Sequence, residues 1–132
     1  MPKKATPFLM FEGRAEEAMN FYVSVFRGAR IDRITRYGAG GPGREGSVVR
    51  ATMTLAGMEV MFVDSPITHA FTFTPATSFF IECETVAEID ALFGKLADGG
   101  QVMMPPDNYG FSQKFAWLAD QFGVSWQLNL GS

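Results

Sequence analysis

The chain has one cysteine, one histidine and no long apolar run. A single thiol, Cys83, rules out an internal disulfide and any metal cage built from cysteines. Its position inside a strand-like pattern places it in the core of a protein suited to a reducing compartment. With His69 alone, no two imidazoles can share a metal ion, and this residue reads as a surface or packed histidine. Charge is sparse as well. The 11 Lys and Arg and 14 Asp and Glu leave a net charge of -3, and the basic residues are scattered, with no stripe of the kind a nucleic-acid surface needs. No segment approaches the roughly 20 apolar residues of a membrane span. Lys3 and Lys4 begin as a signal peptide would, but Glu12 and Arg14 interrupt the run, so a cytoplasmic protein without membrane contact is expected.

What is abundant is apolar and aromatic. Of the 132 residues, 47% are hydrophobic and 14% aromatic, including 13 Phe, alongside 8 Met. That is enough for one ordinary domain with a substantial, partly soft interior. The clearest pattern closes the chain: Phe111 to Leu130 reads as strand, tight turn, strand. Val124, Trp126, Leu128 and Leu130 fall on one face, and Ser125, Gln127 and Asn129 on the other. A row of hydrogen-bonding side chains on a half-buried strand either meets solvent or lines a pocket.

Upstream, Thr6 to Phe11 suits a buried strand. From Ala15 the period changes, and Ala15, Ala18, Met19, Tyr22, Val25 and Phe26 share a helical face, with Glu16 and Glu17 in the first turn and Gly28 as the stop. Arg30 to Tyr37 reads as a strand, Gly38 to Gly46 as a glycine-rich loop, and Ser47 to Leu55 with Met58 to Asp64 as a hairpin turning at Ala56-Gly57. Residues 65–76 form a connector.

The order then repeats. Thr77 to Glu84 is extended, Thr85 and Glu88 have capping-box spacing, and Val86, Ile89, Leu92, Phe93 and Leu96 mark a helix ended by Gly99-Gly100. A strand near Gln101 to Met104, a Pro-Pro-Asp-Asn loop and the final hairpin follow. An offset of 71 carries Phe8 onto Phe79, Ala18 onto Ile89, Val25 onto Leu96 and Gly28 onto Gly99, and one of 66 carries Gly57 onto Gly123. The fold class expected is α+β, one domain made of two tandem β-α-β-β-β modules at about 5–64 and 77–130.

With this plan, Phe-Glu-Gly-Arg-Ala-Glu-Glu-Ala-Met-Asn-Phe-Tyr at 11–22, Thr-Arg-Tyr-Gly at 35–38 with Gly41-Pro42-Gly43, and Asp-Gln-Phe-Gly-Val-Ser-Trp-Gln at 120–127, the chain resembles the vicinal oxygen chelate, or glyoxalase-like, superfamily. Within it the chain is similar to PhnB-like proteins labelled 3-demethylubiquinone-9 3-methyltransferase domains. The resemblance implies two modules whose sheets curl round a cavity, commonly completed in a homodimer. It also implies a divalent metal held from four strands. The matching positions fall at or beside Pro7 and on Met61, Ser78 and Gln127, a set too poor in charged or imidazole donors for such an ion. No metal and no cofactor are therefore expected. Gly38, Gly40 and Gly43 satisfy G-x-G-x-x-G, but Pro42 lies inside and a strand follows, so no helix start is offered to a nucleotide-like cofactor.

If Gln127 faces a cavity, alternation places Ser125 and Asn129 beside it, and the same parity elsewhere selects Phe11, Arg50, Thr52, Glu59, Phe80 and Glu82. With Met61 and Ser78 these form the expected ligand pocket. Arg50 with Glu59 or Glu82 would hold a polar or anionic ligand, or one carboxylate would act as a base; equally, the charges pair with one another. Trp117 stacks on a ligand or fills core, with core the safer reading. The function expected is small-molecule binding without the usual metal. The alternative is an enzyme of the superfamily, a lyase, dioxygenase or isomerase, using ligands drawn from Asp64, His69, Glu59 or Glu82 or carboxylate acid-base chemistry.

Overall fold

The computed structural model describes residues 1–131. Among them, eight strands and two helices divide into two compact units, Met1–Ala70 and the segment from Phe71 onward. The division falls inside the expected connector.

In the first unit β1 (Phe8–Phe11) leads to α1 (Ala15–Val25), followed by β2 (Arg30–Arg36), β3 (Val48–Leu55) and β4 (Met58–Asp64). The sheet order is β1-β4-β3-β2, with β1 parallel to β4 and the other pairs antiparallel. The β3–β4 hairpin turns at Ala56 (φ 48) and Gly57 (φ 80), and positive φ at both central residues matches the right-handed twist of the strands. One face of the sheet takes α1. Ala15, Ala18, Met19 and Tyr22 are fully buried against Val60, Phe62, Ala51 and Met53, and Tyr22 meets Phe62 with ring centroids 6.1 Å apart.

The second unit repeats the plan with β5 (Ser78–Cys83), α2 (Val86–Ala97), β6 (Gln101–Asp107), β7 (Lys114–Ala119) and β8 (Ser125–Leu130), in the order β5-β8-β7-β6. Its helix packs on the face that carries Trp126, Leu128, Leu118 and Ala116, all essentially inaccessible. The two tandem β-α-β-β-β modules of an α+β fold are thus present as expected.

Three local expectations need correction. Pro105, Pro106 and Asp107 belong to β6 rather than to a loop. The strand lies at the edge of its sheet with a shifted register between Met104 and Asp107, so prolines without N–H groups cost it little. The α2 cap is built differently from a reciprocal capping box: Thr85 Oγ1 accepts from the Glu88 amide at 3.1 Å, but the Glu88 carboxylate turns back to the Glu84 amide, at 2.8 Å. Val86, assigned to the buried helix face, is exposed, because it opens the first turn before the helix settles on the sheet. No helix among the described residues is long and apolar enough to cross a membrane.

Candidate functional site

Because a helix covers one face of each sheet, chemistry directed at a ligand falls to the other, open face. In the first unit that face is set by the pairings Phe8↔Met61, Thr52↔Met61, Thr54↔Glu59 and Thr35↔Arg50. Of the expected pocket residues, Arg50, Thr52, Glu59 and Met61 lie here together. Phe11 does not. It is buried, stacks on Phe62 at 5.7 Å and belongs to the helix side.

The reason is a one-residue slip between the modules. The sequence offset that aligns the two helices matches Phe8 with Phe79, yet in the sheets Phe8 pairs with Met61 and Phe80 with Gln127, positions that the offset of 66 aligns, so Phe8 corresponds to Phe80 and Met10 to Glu82. Each of these lies on the open face, whereas Phe79 packs 4.9 Å from Trp126 beneath it. A single residue of slip inverts every side chain of a strand.

A groove of ≈ 480 Å³ opens on this first face, lined by Phe8, Met10, Val49 and Val63, with Thr35, Tyr37, Arg50, Asp64 and Ser65 among its polar groups. Sequence alternation missed Val49, because the β2–β3 register shifts where Thr35↔Arg50 gives way to Arg36↔Val48, so Val48 is buried and Val49 exposed. Met10 and Val63 were discoverable in principle, since each lies two residues from a residue of the same face, Phe8 and Met61.

The charges of this unit are mostly committed. Glu59 accepts from Lys4 Nζ at 2.6 Å. Asp32 accepts from Thr54 and Arg30, which hold its carboxyl below the usual carboxylate range, the threonine bond contributing most. Arg36 reaches Glu16 on α1 through two hydrogen bonds, which lower the Glu16 pKa and raise that of Arg36. Asp64 accepts from the backbone amides of Gly13, Ala15 and Val48 at 2.8, 3.0 and 2.9 Å. His69 shares a 2.7 Å hydrogen bond with Ser65 Oγ, and its amide donates to Glu12. Arg50 is exposed, and among the described residues no carboxylate pairs with it.

In the second unit the open face is a regular grid. Ser78, Ser125 and Ala119 form one row; Phe80, Gln127 and Trp117 the next; Glu82, Asn129 and Phe115 the third. All six pocket residues expected from this module, Ser78, Phe80, Glu82, Ser125, Gln127 and Asn129, therefore share one surface.

A hydrogen-bonded chain crosses it. Trp117 Nε1 donates to Ser125 Oγ at 2.9 Å, the Ser125 and Ser78 hydroxyls are 2.6 Å apart, and Gln127 Nε2 donates to Ser78 Oγ at 3.3 Å. At the other end, Asn129 Nδ2 donates to Glu82 at 3.3 Å while its carbonyl accepts from Ser112 Oγ. Trp117 is consequently not core: its indole N–H is held on the open face, and the fully buried tryptophan is Trp126, bonded to Asp120 at 2.8 Å. Cys83, on the helix side, is buried as expected, and desolvation, with smaller effects from Glu88 and Glu82, pushes its thiol up to about 11.

Neither implied cofactor suits these residues. At the positions where the superfamily would place metal ligands, the chain offers a proline or its neighbours, a thioether, a hydroxyl and an amide. The hydroxyl and amide, Ser78 and Gln127, are hydrogen-bonded to each other. Among the described residues no group of three or more His, Cys, Asp or Glu side chains comes together. The glycine-rich segment, for its part, joins antiparallel β2 to β3, and no helix begins there to receive a nucleotide-like group.

Solved structures agree with the architecture. The chain is 56% identical to the PhnB protein from Bacillus cereus, with 98% of this chain and 100% of that one covered and a TM-score of 0.94. The fold is shared with a glyoxylase/bleomycin resistance protein/dioxygenase domain from Frankia sp., at 14% identity, 100% and 93% coverage and a TM-score of 0.67. It is shared equally with the fosfomycin resistance protein FosX from Listeria monocytogenes, a complex with Mn(II) and sulfate, at 11% identity, 100% and 92% coverage and a TM-score of 0.67. No curated protein matches the chain. The profile of the family described as 3-demethylubiquinone-9 3-methyltransferase matches residues 3–129, and with the PhnB likeness this establishes that the chain belongs to that family, on a glyoxalase-like fold.

Proposed function

We propose that this protein binds a small molecule on the open face of its first sheet, with Arg50 as the anchor for an anionic group, and does so without the divalent metal usual in the superfamily. The observation that carries this reading is the state of Arg50. It is a guanidinium with no carboxylate partner among the described residues, beside a groove floored by Phe8, Met10, Val49 and Val63. An unpaired planar cation at the rim of an apolar surface complements a ligand with one anionic end and a lipophilic body. The second unit is in keeping with the metal-free part of this reading alone, since the hydroxyls and amides of Ser78, Ser125, Gln127 and Asn129 offer neutral hydrogen bonds rather than metal coordination. The working form in this proposal is a homodimer, as the resemblance to the superfamily implies, in the cytoplasm, where a lone buried cysteine suits the reducing conditions.

The test uses an amphipathic anion, 8-anilinonaphthalene-1-sulfonate, titrated by fluorescence against the wild type, Arg50→Ala and Arg50→Lys. Loss of about tenfold in affinity in Arg50→Ala, with partial retention in Arg50→Lys, is the expected result. Equal binding by all three removes Arg50 from the site. Elemental analysis after incubation with zinc, manganese, nickel and iron(II) examines the metal separately: stoichiometric retention abolished by changing Glu59, Glu82, Asp64 or His69 overturns the metal-free reading.

A further inference from the structure

The second unit carries a surface of opposite character. Phe80 and Phe111 are 53% and 61% exposed, and both rest on the buried ring of Phe115, with centroids 6.3 and 5.1 Å from it. Phe80 and Trp117 stand on either side of Gln127 in the middle row of the grid. The surface thus offers exposed aromatic rings over an aromatic floor.

Among the nine grid positions, Glu82 is the one ionised side chain. No cation of this sheet neutralises it: Lys114, on β7, pairs with Asp90 of α2 at 2.6 Å on the helix side. Among the described residues Glu82 accepts from a single donor, Asn129 Nδ2. The Gln127 amide spends an N–H on Ser78, and its carbonyl oxygen has no donor among the described residues. What the face leaves available is therefore acceptors and ring faces. Aromatic rings attract cations through their negative faces, and a nearby carboxylate adds to that attraction.

We infer that this face binds an organic cation with a flat apolar body, of the amidinium or protonated aryl-amine class. The cationic N–H groups donate to Glu82 and to the Gln127 carbonyl, and the body lies on Phe80 and Phe111. The inference is independent of the Arg50 reading, which concerns an anion on the other unit.

Benzamidinium, benzamide and benzoate are isosteric probes of the three charge states. The readout is the NMR resonance of the Trp117 indole N–H, with that of Trp126, on the opposite face, as the internal control. Benzamidinium is expected to shift Trp117 saturably and to bind about tenfold more weakly to Glu82→Gln, while benzoate leaves the resonance in place. Arg50→Ala is expected to bind benzamidinium as the wild type does. Glu82 is exposed, so its substitution leaves folding intact, and Phe111→Ala serves as the second variant, with weaker binding expected. Benzoate or benzamide binding as well as benzamidinium overturns the inference, as does unchanged affinity in Glu82→Gln. Conversion of a dimer to monomer by Phe111→Ala without loss of benzamidinium binding would show that the aromatic patch seats a second copy of the chain, and overturns it too.

Discussion

Asp64 and Ala15 are 49 residues apart in the chain, yet the Asp64 carboxylate accepts the Ala15 amide at 3.0 Å. Helix α1 has no side-chain cap of its own at Arg14, and its first amides would otherwise lack partners. Asp64, buried at the end of β4, supplies that acceptor, takes the Gly13 and Val48 amides as well, and sets a negative charge at the positive end of the helix. One side chain therefore ties β4, β3 and the helix start together.

Replacing this residue is expected to leave three amides short of an acceptor. Asp64→Ala should lower stability by about 3 kcal/mol and Asp64→Asn by about half as much, since the amide keeps one acceptor oxygen. Urea unfolding with an unchanged m-value measures both. A loss under 0.5 kcal/mol in Asp64→Ala, within the range of an ordinary surface change, would refute the role.

The second unit has its own buried carboxylate. Asp120 accepts from the Phe122 and Val124 amides and, through its other oxygen, from Trp126 Nε1 at 2.8 Å. This fixes the β7–β8 turn and orients the largest buried side chain. Asp120→Ala and Trp126→Phe should each destabilise, and their double mutant should lose less than the sum by about 1 kcal/mol, the coupling measured in a double-mutant cycle. Strict additivity would mean the bond contributes nothing.

Two glycines predict opposite signs. Gly94 lies in α2 with nothing within 4 Å of an added Cβ, so Gly94→Ala should gain about 0.5–1 kcal/mol from helix propensity and reduced freedom of the unfolded chain. At Gly100 the added Cβ would meet the Ala119 carbonyl oxygen at 2.1 Å, and Gly100→Ala should lose about 2–3 kcal/mol. Thermal melts of the two variants should move in opposite directions from the wild type.

Cys83 connects burial to pH. Burial raises its thiol from 9.0 to about 11, so the folded state favours the protonated form. The stability this contributes is intact below pH 9 and is lost as the pH climbs through about 11. Wild type should accordingly weaken relative to Cys83→Ala between pH 9 and pH 11. Ellman's reagent at pH 8 should react slowly with the native protein and rapidly once urea unfolds it. Rapid reaction of the folded protein would contradict the buried thiol.

Much of this was legible before any coordinates. Periodicity located both helices and the strands, and the alternation of Ser125, Gln127 and Asn129 correctly placed them on one face, because β8 runs between two neighbours without a bulge. Phe11 was assigned to the wrong face because the two modules keep one register in their helices and a different one in their first strands, a slip that only pairing with β4 discloses. Val49 escaped for a related reason, the bulge opposite β2. The capping role of Asp64 has no sequence signature, since its partners are backbone amides delivered by the fold. Phe111, expected to open a strand, lies instead with Tyr109 in the loop before β7, where no period indicates that their rings stack with each other or that both meet Phe115.

The prolines of β6 have a consequence for behaviour at high concentration. An uncovered strand edge invites a neighbour's backbone to add to the sheet, and repeated addition builds fibres. At Pro105 and Pro106 the edge has no N–H to offer, and the shifted register beside them distorts the ladder that a newcomer would have to match. The second sheet thus ends in a segment that is hard to extend, which shields a chain rich in Phe and Met from growing through that side into ordered aggregates.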